Sequence, residues 1–272
     1  MVNYLAVDFE ITDSRQSEQL IALLSEYGFE GFEESEYTLQ AFILEENFVE
    51  DDFNTIIQLF SSLKYKKTVV ENINWNQQWE ESFEPVIVDN FVAIRAHFHK
   101  PIGTVLHEII ITPKMSFGTG HHATTHLVIQ QMQAIDFKQK TVLDFGTGTG
   151  ILAILAEKLG AGNVWAIDND EWSITNAKEN IAQNDCTKIY IEQHNTIPIF
   201  KKYDVILANI NLNVITANLE AIELVANSAC TIIFSGFLKE DENTMKATIK
   251  SAGFQYISTH SKGNWIAIRA GK

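Results

Sequence analysis

From about Lys140 onward the chain alternates short runs rich in Val and Ile with amphipathic stretches, and this alternation limits the fold more than any other feature. TVLDFG, NVWAID, KIYIEQ, YDVILANI and TIIFSGF read as buried strands. ILAILAEKLG, EWSITNAKENIAQN, LNVITANLEAIELVA and EDENTMKATIKSAG read as the helices between them. Strands this apolar need cover on both faces, which a doubly wound α/β sheet supplies. FQYISTHS and WIAIRAG add a closing hairpin pair at one edge. Ligands of such sheets bind beyond the carboxyl ends of the strands, where the strand order reverses, so the strand ends are where chemistry is expected.

The first of these strands ends in Asp144-Phe-Gly146-Thr-Gly148-Thr-Gly150 and runs directly into a helix. Three glycines let backbone approach a ligand closely, and a helix amino-terminus favours negative charge. The spacing GxGxG departs from the GxGxxG of a dinucleotide fingerprint. An acid two residues before the first glycine suits the ammonium end of a ligand better than a pyrophosphate, which makes Asp144 a candidate contact together with Gly146 and Gly148. The second strand ends in Asp168, placed to accept from both ribose hydroxyls of an adenosine ligand. Asp170, just before EWSITNAKEN, reads as the cap of that helix. The fourth strand ends in Asn209, whose amide offers both an acceptor and a donor to an incoming amine.

Residues 1–73 have the order β-α-β-β-α-β: NYLAVDFEI, SEQLIALLSEYG, GFEGFEESEY, TLQAFILEE, DDFNTIIQLFSSL and KKTVVENI. That order is the ferredoxin-like pattern, expected to form a small domain. Residues 74–84 follow as a linker helix in which Trp75, Trp79 and Phe83 recur every four residues as one apolar stripe. Residues 85–272 form the larger domain, opening with a strand pair at 85–112 (VIVDNFVAIRAHF and TVLHEIIITP, joined by KPIG), with the core from about 121.

Charge separates the two parts. The net charge is −15, and the first 60 residues carry 14 acids against one base, Arg15, leaving −2 for the remainder. Such a surface repels phosphate backbones and attracts basic partners, so no direct nucleic-acid binding is expected of it. MVNYLAVDFE has neither the basic region nor the apolar run of a signal peptide, and runs such as ILAILA are far too short to span a membrane. Cys186 and Cys230 form no CxxC pair, so a reduced, cytoplasmic setting is expected. His97, His99, His107, His121, His122 and His126 crowd into thirty residues, His97 and His99 on one face of a strand, but without neighbouring Cys or acids they are not read as a metal site.

DFGTGTG, IDND and DVILANI together resemble class I S-adenosylmethionine-dependent methyltransferases, whose core is Rossmann-like. With SFGTGHHATT upstream, the joint WNQQWEESFEPVIV and the closing NWIAIRAGK, nearly the whole chain resembles one family, the methyltransferases of the large-subunit ribosomal protein numbered eleven. The family's FGTGTHPTT is FGTGHHATT here; His121 and Ala123 replace threonine and proline, the second change removing a rigid helix start. The resemblance implies S-adenosyl-L-methionine as cofactor, contacted by Thr125, Gly146 and Asp168, with Asn209 near the methyl-transfer centre as the positioning, catalytic residue. It implies methylation of lysine side chains, and of the amino-terminal amine, of a basic ribosomal protein gripped by the acidic front domain. The two FGTG stretches then belong to one site, the second as cradle and the first leading to the helix that bears Thr125. Rival readings are an NAD-dependent oxidoreductase, a methyltransferase acting on another protein or on RNA, and a non-catalytic protein that keeps the pocket. The missing GxGxxG speaks against the first. Asn-Ile-Asn in place of Asn-Pro-Pro-Tyr, with the acidic front segment, speaks against a nucleic-acid substrate.

Overall fold

The computed structural model describes residues 3–35, 37–60, 63–70, 83–113 and 120–272. The chain divides into two compact units, Met1–Glu81 and Ser82–Lys272. Trp75 and Trp79 of the expected linker helix, and the stretch 116–119 of the upstream FGTG loop, lie outside the described residues.

The front unit runs β1 (Tyr4–Glu10), α1 (Ser14–Tyr27), β2 (Gly31–Glu34), β3 (Thr38–Leu44), α2 (Glu50–Ile57) and β4 (Lys64–Val70). Its sheet has the order β2-β3-β1-β4, every neighbour antiparallel. Period-two alternation turns Leu5, Val7 and Phe9 of β1 and Leu39, Ala41 and Ile43 of β3 to one face, where they meet Leu20 and Leu24 of α1 and Phe53 of α2. Asp13 caps α1 by accepting from the Gln16 amide, and Gly28, at φ 110°, ends the helix in the left-handed conformation. Phe53 is fully buried, with Phe48 5.2 Å and Tyr65 5.3 Å away between ring centroids, and Phe9 and Phe29 each at 6.3 Å.

The second unit begins with a small sheet of β5 (Val86–Val88), β6 (Val92–Ala96) and β7 (His107–Ile111). VIVDNFVAIRAHF forms two strands and not the one expected: the chain turns at Asp89, at φ 52°, so β5 and β6 form an antiparallel hairpin. β6 and β7 then pair in parallel, so KPIG lies inside a crossover and not in a hairpin turn. Arg95 holds that crossover, its guanidinium donating to Glu108 at 3.1 Å and to the His99 carbonyl at 3.1 Å, while the Ile102 amide donates to Glu108. His97 and His99 lie past the end of β6, and His99 Nδ1 accepts from the Ala96 amide at 3.1 Å.

After α3 (Ala123–Met132) come β8 (Thr141–Phe145), α4 (Ile151–Lys158), β9 (Asn163–Asp168), α5 (Glu171–Gln183), β10 (Ile189–Gln193) and β11 (Tyr203–Asn209). The helix expected over LNVITANLEAIELVA is two, α6 (Leu212–Ala217) and α7 (Leu219–Val225), divided at Asn218; β12 (Ala226–Leu238), α8 (Glu242–Ser251), β13 (Gln255–Lys262) and β14 (Trp265–Gly271) complete the unit. The seven strands take the order β10-β9-β8-β11-β12-β14-β13, parallel from β10 to β12. The closing hairpin is present, and its second strand wedges antiparallel between β12 and β13. β8 has β9 on one side and β11 on the other, so the order reverses at β8 and a crevice opens at its carboxyl end. α5 joins the two sheets: Asn184 accepts from the Ile110 amide at 3.0 Å and donates to the Ile110 carbonyl at 2.6 Å, and Asn180 accepts from the Thr112 amide at 2.8 Å. Side-chain amides thus complete an edge that strand pairing leaves open.

Phe53→Ala removes the ring on which the front core converges and is expected to destabilise that unit by about 3–5 kcal/mol. Denaturant titration followed by hydrogen exchange of β1 and β3 checks it, with the β8–β12 amides unchanged.

Candidate functional site

The glycine loop makes a tight reversal over the ends of β8 and β9. Gly146 and Thr147 both donate their amides to the Ile167 carbonyl, at 2.9 and 3.0 Å, and the Gly148 amide donates to Asp168 Oδ2 at 2.9 Å. Gly146 has φ +76°, and a Cβ there would stand 2.1 Å from Ile210 Cγ2; Gly150, at φ +82°, opens α4. A side chain at Gly146 would fill the cradle, so this glycine is required for space as well as for conformation.

Asp168 is the last residue of β9, and its second oxygen accepts from the Asp170 amide at 3.1 Å. Asp170 caps α5, accepting from the Trp172 amide at 3.3 Å and the Ser173 amide at 3.0 Å. Asn209 ends β11 and is 8% exposed; its Nδ2 donates to Thr125 Oγ1 at 3.4 Å, and its Oδ1 has no partner among the described residues. Thr125 is in the first turn of α3, where His122 serves as cap and its Nδ1 accepts from the Thr124 amide. The histidine thus supplies the helix start that proline would have given at position 123.

A cleft of about 710 Å³ brings together Gly146, Gly148, Asp168 and Asn209. Thr125 lines a small adjoining recess with Gly146, Thr147 and Asn209. Asp144 differs from expectation. It lines neither space but lies wholly buried, with Thr147 Oγ1 donating to its Oδ2 at 2.7 Å and its Oδ1 without a partner among the described residues. Burial pushes its pKa up to about 7, the neighbouring Asp168 adding to the rise while the Thr147 bond opposes it. Its side chain is engaged by Thr147 of the loop and does not line the cleft, which spacing along a strand does not disclose. Orphaned buried polar atoms are uncommon in folded proteins, so the unpartnered Oδ1 of Asn209, a residue lining both spaces, is consistent with a polar ligand there.

Several wall residues were not singled out in the sequence, among them His122, Trp265 and Gly236. His122 and Trp265, with ring centroids 4.6 Å apart, line the cleft together with Gly236. Gly236 has φ +99° and would place a Cβ 2.3 Å from the Ile210 carbonyl oxygen. A lone glycine inside TIIFSGF is a signal of a bulge or close approach, and the β12–β14 register does shift between Ser235 and Phe237. Nothing in local spacing foretold Trp265, which reaches the cleft only because β14 is inserted into the sheet. Among the described residues no three His, Cys, Asp or Glu side chains converge as a metal site requires.

The family model described as ribosomal protein L11 methyltransferase (PrmA) matches residues 4–272. The ribosomal protein L11 methyltransferase of Phocaeicola vulgatus is 36% identical, over 98% of this chain and 99% of its own. That of Chlorobaculum tepidum is 37% identical, over 97% of this chain and 95% of its own. The crystal structure of a ribosomal protein L11 methylase from Lactobacillus delbrueckii subsp. bulgaricus superposes with a TM-score of 0.65 at 29% identity, covering 69% of this chain and 98% of that one. With its glycine cradle, strand-end acid and strand-end asparagine inside a match spanning both units, the chain belongs to the ribosomal protein L11 methyltransferase family.

Proposed function

We infer that the protein is an S-adenosyl-L-methionine-dependent protein methyltransferase that transfers methyl groups to amines, lysine side chains and the amino-terminus, of the large-subunit ribosomal protein L11. The observation that carries this reading is Asn209: a buried residue lining the cleft beside Gly146 and Asp168, whose amide nitrogen donates to Thr125 and whose oxygen has no partner among the described residues. An acceptor oxygen suits an incoming N–H.

The residues present fit the cofactor. The cradle at Gly146 has no room for a Cβ, Asp168 offers carboxylate oxygens at the ribose position, and Thr125 and Gly148 complete the contacts. When bound, S-adenosylmethionine supplies a methyl group on a sulfonium, already a strong electrophile. The protein's own contribution is alignment and exclusion of water. A lysine amine needs a free lone pair, yet its ordinary pKa is about 10.4. Asn209 Oδ1 accepts from the neutral amine and orients it, while the apolar faces of Ile210 and Trp265 disfavour the ammonium form. Asn209 is thus a positioning group, and no dedicated general base is required.

Residues 1–73 form, in this reading, a ferredoxin-like recognition domain, supported by the antiparallel order β2-β3-β1-β4 with two helices between strands. Residues 74–84 serve as connector and 85–272 as the cofactor domain. The 14 acids among the first 60 residues suit a basic protein substrate and disfavour nucleic acid. No helix among the described residues is long and apolar enough to cross a membrane, and a ribosomal-protein substrate implies a cytoplasmic site of action.

Incubation with labelled cofactor and separated ribosomal components is expected to label L11, whereas label in RNA or in no product overturns the reading. Asn209→Ala is expected to lower turnover about a hundredfold at saturating cofactor with little change in cofactor affinity; undiminished turnover sinks the role given to Asn209. Replacing Glu33, Glu34, Glu45 and Glu46 by Gln is expected to raise KM for L11 and flatten its salt dependence while leaving kcat in place. Steady-state kinetics at two ionic strengths separates the terms.

A further inference from the structure

We propose that loading of the cofactor site is coupled to loss of a proton from Asp144, so that the protein takes up its cationic cofactor more tightly as pH rises. The proposal rests on the reading of the cleft as an S-adenosylmethionine site and concerns how that site is regulated.

Asp144 stands one residue before the end of β8, fully screened from solvent. One oxygen accepts from the Thr147 hydroxyl, and the other has no side-chain partner among the described residues. Among the described residues the charged side chain acting on it is another acid, Asp168 of β9, while a backbone hydrogen bond from Ala153 of α4 opposes the rise. The buried polar residues of the surrounding elements are neutral: Thr124 and Thr125 of α3, Asn176 and Asn180 of α5, and Asn209 at the end of β11. The buried part of α4, Ile151 to Ala156, is wholly apolar. A carboxylate removed from water with no counter-cation favours its neutral form, and burial places the titration of Asp144 at about pH 7.

A missing counter-cation is what the cofactor would bring. S-adenosylmethionine carries a sulfonium and an ammonium against one carboxylate, a net positive charge. Thr147, whose hydroxyl holds Asp144, itself lines the recess beside Gly146, Thr125 and Asn209, so one residue separates the buried acid from ligand space. A cation arriving there stabilises the ionised acid and lowers its pKa. The sign follows: the deprotonated protein binds more tightly, full affinity is present above the unloaded pKa, and affinity is lost as pH falls through about 7. A role confined to holding the turn through Thr147 would give no such pH dependence.

Calorimetric titration of the full chain with S-adenosylmethionine, in two buffers of different ionisation enthalpy, reads both quantities. The expected result is a Kd about tenfold weaker near pH 6 than near pH 8, with close to one proton released per ligand bound at the lower pH. In Asp144→Asn the pH dependence is expected to shrink to that of the ligand's own amino group, which titrates alike in both proteins. A proton count near zero at the lower pH in the unmodified protein overturns the coupling, as does an undiminished pH slope in Asp144→Asn. The proton count needs no variant, so it decides even where Asp144→Asn fails to fold. Absence of binding at every pH would instead remove the cofactor reading, and the coupling with it.

Discussion

Two successive amides, those of Gly146 and Thr147, donate to the single carbonyl of Ile167, and the cleft depends on that turn. It pins the glycine loop of β8 to the end of β9, which in turn lets the Gly148 amide fix the Asp168 carboxylate. Carboxylate and cradle are therefore positioned by one reversal, before any ligand contributes. On the other side, Ile210 packs against the space above Gly146 and its carbonyl against Gly236, so the segment after β11 is seated by two glycines. Side chains at either position would push Asn209 out of register with Thr125.

The scaffold around this turn is held by side-chain amides more than by charge. Asn180 and Asn184 substitute for a neighbouring strand along β7, and Asn180 also donates to the Thr149 carbonyl at 2.8 Å, within the glycine loop. The small sheet, α5 and the loop are thereby linked through neutral hydrogen bonds, which act without the desolvation cost of buried ions. Asp144 is a charged-type side chain shut within this neutral frame, as Arg95 with its Glu108 partner is within the small sheet. A buried acid with an unfilled oxygen destabilises the fold at neutral pH and is understandable where binding makes use of it, since strained or unsatisfied groups gather at functional sites.

Much was legible in the sequence because its signals are local. Strands β8 to β12 and the helices between them follow from runs and periodicity, the cap at Asp170 from its place before α5, and the closing hairpin from two alternating runs. Asp168 and Asn209 could be singled out because each ends a strand whose position in the order was readable. The parallel pairing of β6 and β7 was not legible, because the contacts that support it join Arg95 to Glu108 across the crossover and Asn184, at the end of α5, to Ile110 of β7, 74 residues away. His122 and Trp265 escaped for the same reason.

The sequence by itself determined the layered α/β core, the acidic front segment and the residue types at the strand ends, because hydrophobic period, glycine placement and charge are written in neighbouring residues. Only the tertiary structure decided which side of the loop each acid faces. Asp168 opens on the cleft while Asp144 is shut beneath it, because the pleat and the tight turn at Gly146 set side-chain direction, and that burial turns a similar carboxylate into a group poised near neutrality.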